Sequence, residues 1–217
     1  MLAGLKVFLN VPGSALTLSA SALTLHPGYE TVNNNDLAII RLSEPAPVIA
    51  EQFDIYRDRD EVGQSVTLIG YGAPATGLNG LMSEGETPTK RGGTNRIDAS
   101  TDTLKSQPLA GIGWRIEPGK QLAFDFDDGT AAHDAFGRLF GITDPGQGAL
   151  EVFTSPGDSG GPLLIDGRIV GLASYTFSVS RAFTGPDSLF WLASLPLNGR
   201  PHQMCIDRSG NRPYAAQ

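Results

Sequence analysis

"TSPGDSGGPLL", residues 154–164, decides how the rest of this chain is read. It sets Ser159 directly after Asp158 and ahead of Gly160 and Gly161. An oxyanion hole needs backbone N–H groups that converge on one point, and glycine permits that backbone without steric cost. Gly157 and Ser159 supply the obvious pair of N–H groups. Pro162 then leads into "LLIDGRIVGLAS" (163–174), where Asp166–Gly167 supplies the positive φ of a tight hairpin turn. A plain glycine-rich turn would account for a lone GxSxG, but not for this whole run followed by a hairpin.

A serine hydroxyl is a poor nucleophile alone and needs a base, for which the chain offers three histidines: His26, His133 and His202. Upstream, "NNDLAIIRL" (34–42) puts Asp36 at the mouth of an apolar strand. A half-buried aspartate there can hold a histidine in one tautomer. The same Asp36 could simply cap the turn that follows the asparagines.

Composition points to a globular chain of many turns: 40% hydrophobic and 18% charged residues, with 27 glycines and 15 prolines. A net charge of -7 argues against a nucleic-acid surface, which needs clustered Lys and Arg. No apolar run approaches the roughly 20 residues of a membrane span. Cys205 is the only cysteine, so no intrachain disulfide exists. Residues 1–22 carry Lys6 and a "SASA" that mimics a signal-peptidase site, but Asn10, Pro12 and Gly13 break the apolar stretch. They read as strand and turn, with no signal peptide in this chain.

Short apolar or alternating runs between turn clusters are the all-β pattern. Strands are expected in "LKVFLNV" (5–11), "ALTLSASALTL" (15–25), "LAIIRL" (37–42, buried) and "QSVTLIGYG" (64–72). Further runs follow in "NRIDAS", "QLAFDFDD", "GALEVFTS", "PLLIDGRIVGLASYTF" and "SLFWLASL". A polar, glycine-rich segment at 73–95 reads as a long surface loop.

"GDSGGPLL", "NNDLAIIRL", "LHPGY", "VTLIGYG" and "IVGLASY" stand in the order found in trypsin-like serine proteases of the chymotrypsin fold (S1 family), and from about Leu5 to Leu195 the chain resembles them. The resemblance is to a disulfide-free, bacterial-type member truncated at its N-terminus. It implies an all-β fold, a double antiparallel β-barrel with the first barrel incomplete. Residues 1–50 would be the remainder of the N-terminal barrel and 51–63 the connector. Residues 64–200 would be the C-terminal barrel, and 201–217 a flexible tail. It also implies Ser159 as nucleophile, Asp36 as triad aspartate, and Gly157 with Ser159 as oxyanion hole. Asp158 resembles the aspartate that pairs with a freed N-terminal amine in the family. Phe153 falls at the base of the S1 pocket, with Ser174, Tyr175 and Thr176 along its wall and the substrate backbone. Phe153 carries no charge, so cleavage after basic residues is not expected. Ser155 stands where many relatives have cysteine.

The histidine breaks the pattern. The family places it about 45 residues before the aspartate, whereas Asp36 lies only 35 residues after Met1. His26, in "LHPGY", matches a turn without catalytic role. His133, in "TAAHD" (130–134), copies the shape of the family's "TAAHC" but stands between Asp36 and Ser159, the wrong order for one fold. His202 lies in the polar tail. The expectation is a serine endopeptidase acting through an acyl-enzyme on Ser159, with no catalytic histidine in this chain and hence little or no activity. The alternative is a protease-like domain that only binds. Either takes a polypeptide partner, with no nucleic acid, membrane span, metal or cofactor. The full-length protein is expected to be secreted or periplasmic. "DFDDGTAAHD" (125–134) fails the EF-hand pattern at Gly129 and reads as a solvated acidic loop.

Overall fold

The computed structural model describes residues 4–29, 35–76, 80–81, 89–100, 102–103, 117–127, 129–131, 134–148, 151–178 and 189–194. Its first sheet is antiparallel, ordered β1 (Lys6–Val11), β2 (Ser14–Leu25), β3 (Ala38–Leu42). Pro12 and Gly13 make the β1–β2 turn, Gly13 with a φ of 77° that suits a residue lacking Cβ. One face of this sheet turns Leu18 inward. Leu23 and Leu25 remain exposed beside their β3 partners Ile40 and Ala38. The expectation of a buried strand at 37–42 is therefore corrected: Ile39 and Ile40 are 40% and 42% exposed, because β3 is the edge of a sheet with no covering layer among the described residues.

The second sheet comprises β4 (Ser65–Gly70), β7 (Arg91–Arg96), β8 (Ala99–Ser100), β9 (Gln121–Phe124), β10 (Pro162–Ile165), β11 (Arg168–Ser178) and β12 (Leu189–Ser194). Its order is β7-β4-β10-β11-β12-β9-β8, all antiparallel. The ladder itself is open. Its two edge strands, β7 and β8, are nevertheless consecutive parts of one segment, 91–100, so the sheet curls until its edges meet at Ile97 and Asp98. Two-residue strands β5 (Ala75–Thr76) and β6 (Gly80–Leu81) pair outside it, and the short helix α1 (Ala135–Phe140) follows β9.

Alternation along these strands fills the curled sheet with Val66, Leu68, Ile97, Leu122, Phe124, Leu163, Ile165 and Val170, all buried. Each large aliphatic or aromatic side chain buried this way contributes roughly 1.5–3 kcal/mol. The hairpin expected at Asp166–Gly167 is present, with φ of 49° and 72° at the two turn residues. "GALEVFTS" is the exception among the expected strands. Among its described residues only Glu151 bridges, to Thr94. Tyr56 N–H donates to the Ile169 carbonyl and Ile169 N–H to the Asp54 carbonyl, bridging Ile55 to Ile169, and Arg168 stacks 4.5 Å from the Tyr56 ring centre while bonding Asp58 at 3.0 Å. Residues 201–217 lie outside the described residues.

Candidate active site

Three pieces of chain meet where the two sheets touch. The first brings Asp36. Asn35 is buried with a φ of 53°, a conformation that asparagine tolerates, and its amide donates to the Gly28 carbonyl at 3.0 Å. Leu37 packs on Leu164, Ile169 and Leu172 of the second sheet. Asp36 is held between these anchors, its carboxylate exposed.

The second piece is β11. Its pairing with β12 slips between Ala173 and Tyr175, leaving Ser174 as the extra residue. Such a bulge re-aims a side chain. Here the Ser174 hydroxyl donates to Asp36 Oδ2 at 2.7 Å. Next along β11, the Tyr175 hydroxyl donates to Gln121 Oε1 at 2.8 Å, and burial pushes its pKa up. Thr176 belongs to β11, but its side chain is outside the described residues.

The third piece is the loop 155–161. Ser159 is exposed at a turn, and the residue after it is pinned to β11: Gly160 N–H donates to the Ala173 carbonyl at 2.7 Å, and Ala173 lies one residue before Ser174. Gly157 has a φ of 100°, and a Cβ on it would lie 3.1 Å from Gly72 Cα. Among the described residues, neither Gly157 N–H, Ser159 N–H nor the Ser159 hydroxyl has a hydrogen-bond partner. Asp158 turns the other way. Its Oδ1 accepts from Gly72 N–H at 2.7 Å, and its Oδ2 from Ser155 N–H at 2.9 Å. Ser155 Oγ donates to the Ala73 carbonyl at 2.5 Å.

Sequence reasoning missed the purpose of "GYG". A Cβ on Gly70 would meet Asp158 Oδ1 at 1.8 Å, and one on Gly72 would meet the same carboxylate at 2.5 Å. These two glycines make the space in which Asp158 is anchored. Their spacing at the end of an apolar strand was the available signal.

Phe153 lies beneath the loop, its ring 5.9 Å from those of Phe124 and Phe126 and packed against the core. His26 sits in the turn after β2, where its Nδ1 accepts from Gly28 N–H at 3.1 Å. His133 and His202 lie outside the described residues.

The expectation of a solvated acidic loop is corrected for three of its four acidic residues; Gly129, Thr130 and Ala131 are exposed, and Asp128 lies outside the described residues. Asp125, Asp127 and Asp134 are all buried, because Asn95 on β7 reaches the Asp125 carbonyl at 2.8 Å and draws the segment under the sheet. Burial, then mutual repulsion, pushes Asp98 and Asp127 well above the usual carboxylate range. Asp125 is also raised by burial, against the pull of the Phe136 N–H that bonds it at 2.7 Å.

The antiparallel, nearly all-β arrangement of a curled seven-stranded sheet and a three-stranded sheet is consistent with a chymotrypsin-type fold, the fold of the solved structure it resembles. The chain is similar in structure to neuropsin, described as a serine protease expressed in the limbic system of mouse brain. The TM-score is 0.54 at 16% sequence identity, over 83% of this chain and 67% of that one. No protein-family profile matches the chain, and no curated protein matches it by sequence.

Proposed function

We propose that the chain is the core of a serine-type endopeptidase in which Ser159 is the nucleophile and forms an acyl-enzyme with its polypeptide substrate. The observation that carries this reading is the bond between Ser174 and Asp36, which sets a carboxylate beside the strand that anchors the Ser159 loop. Asp36 would orient and charge-stabilise a histidine base. The uncommitted N–H groups of Gly157 and Ser159 would bind the oxyanion, where removal of one donor typically costs about a hundredfold to a thousandfold in rate. Asp158 would keep that loop in shape. Its carboxylate accepts from the main-chain N–H groups of Gly72 and Ser155. Phe153 would form an uncharged pocket base, flanked by Ser174, Tyr175 and Thr176. A disulfide-free, bacterial-type protease fits the single cysteine and Ser155 in the place where many such proteases carry a cysteine.

The 217-residue chain is expected to work slowly, because nothing among the described residues holds the Ser159 hydroxyl as a base would. An oxyanion hole and binding alone can still leave roughly a thousandfold to ten-thousandfold over water. Hydrolysis of an activated ester by the chain and by Ser159→Ala tests this. A slow rate that Ser159→Ala abolishes supports the peptidase reading. Equal rates, with a peptide still bound, would favour the protease-like binding domain.

A further inference from the structure

Three buried carboxylates gather below the second sheet, well away in sequence from Asp36. One oxygen each from Asp125, Asp127 and Asp134 lies within 4.8 Å of the others. Oxygens that share one Ca²⁺ at about 2.4 Å can be no further apart than that. The remaining bonds show which oxygens are spent. Asp125 Oδ2 accepts from Phe136 N–H, and Asp134 Oδ1 accepts from Gly137 N–H as the cap of α1. Glu151 Oε1 and Oε2 accept from Asp127 N–H and Gln147 N–H, both at 2.6 Å.

Asp127 is the anomaly. It is 3% exposed, and its Oδ1 is buried with no hydrogen-bond partner among the described residues. A buried carboxylate oxygen without a donor costs the full desolvation penalty. No ion pair to Asp125, Asp127 or Asp134 occurs among the described residues, and the nearest neighbours that share their electrostatics are acids, Asp98 and Glu151. Glycine also stands where the carboxylates need room: a Cβ on Gly137 would meet Asp134 Oδ2 at 2.1 Å, and one on Gly146 would meet Glu151 Oε2 at 2.2 Å.

We propose that Asp125, Asp127 and Asp134 form a Ca²⁺ site, with the unpartnered Asp127 oxygen as a ligand. Carboxylates of this density suit a hard cation that takes 6–8 oxygens, the rest coming from water or carbonyls. Phe126, between two of the ligands, packs on Phe153. Asn95 bonds both Asp125 O and Val152 O, at 2.8 and 3.0 Å. The ion would thereby brace the segment that enters the Ser159 loop, and its binding does not depend on the peptidase reading.

The test uses the full chain after chelation, titrated with CaCl2 by calorimetry and melted in CaCl2 or in EGTA. One Ca²⁺ per chain and a rise in melting temperature of about 5–10 °C at a hundred times Kd are expected. Asp127→Asn should weaken binding at least tenfold, while the exposed Glu44→Gln leaves it unchanged. The melts of the unmodified chain decide the question even if a variant does not fold. No heat and no shift at 10 mM CaCl2 (roughly tenfold above the weakest extracellular Ca²⁺ dissociation constants), or an Asp127→Asn chain that binds equally well, overturns the site.

Discussion

The hydroxyl of Ser174 bonds Asp36 across the junction of the two sheets, at 2.7 Å. Ser174 reaches Asp36 because it is the bulged residue of β11, and Asp36 is within reach because Leu37 beside it is pinned to Leu164, Ile169 and Leu172. Both partners are at least partly exposed, so the bond should contribute a few tenths to about 1 kcal/mol. A double-mutant cycle with Ser174→Ala and Asp36→Ala, read by urea unfolding, is expected to give that coupling energy. Strictly additive losses would mean that the two residues do not meet in solution.

Asp158 gives a sharper expectation. Gly70→Ala puts a methyl group where its carboxylate sits, and no rotamer of alanine avoids the clash. Overpacking of this kind costs typically 1–3 kcal/mol. Thermal melts should show Gly70→Ala destabilised in that range, and Asp158→Ala should restore part of the loss. A Gly70→Ala chain as stable as its parent would show that the carboxylate lies elsewhere.

Much of this arrangement could be read from the sequence, for a local reason. The Ser159 loop, the β10–β11 hairpin and β4 are encoded by turn residues and alternation within a few positions. Asp166–Gly167 folds as such a dipeptide should. What escaped depends on distant partners. "GALEVFTS" looks like a strand, yet the carboxylate of Glu151 clamps the N–H groups of Asp127 and Gln147 instead. Asp125 and Asp127 look solvated because their burial comes from Asn95, 30 residues before Asp125, and from Phe126 packing on Phe153. Periodicity likewise expects β3 to be buried, and cannot say whether a second layer covers it.

That uncovered face has a consequence in solution. Leu23, Leu25 and Ile40 are 44%, 52% and 42% exposed, Leu23 paired with Ile40 across the β2–β3 ladder. Contiguous apolar surface beside an open strand edge promotes association. Light scattering should show concentration-dependent self-association of the 217-residue chain, reduced in a Leu23→Thr/Ile40→Thr double variant. A sharp, reversible melt of a monomer at all concentrations would count against an exposed face.

Tyr175 contributes to the loss of stability at alkaline pH. Burial raises its pKa above that of the unfolded chain, so the folded state keeps a phenol proton that the unfolded state gives up. Its stabilising contribution is complete below about pH 10 and is lost as the pH rises beyond it. Tyr175→Phe should flatten that loss in denaturant titrations between pH 9 and 11 (roughly a unit either side of the unperturbed value). An unchanged slope would place the phenol in water.

Whether Ser159 is a nucleophile is read most directly by treating the purified chain with a fluorophosphonate and mapping the adduct by mass spectrometry. Slow modification confined to Ser159, and absent from Ser159→Ala, is the expected result if Ser159 is the proposed nucleophile and has no base beside it, as is the case among the described residues. No adduct at Ser159 above the background of other serines would refute the nucleophile assignment. Rapid, stoichiometric labelling would instead show that a base within this chain, His133 first among the candidates, already serves it.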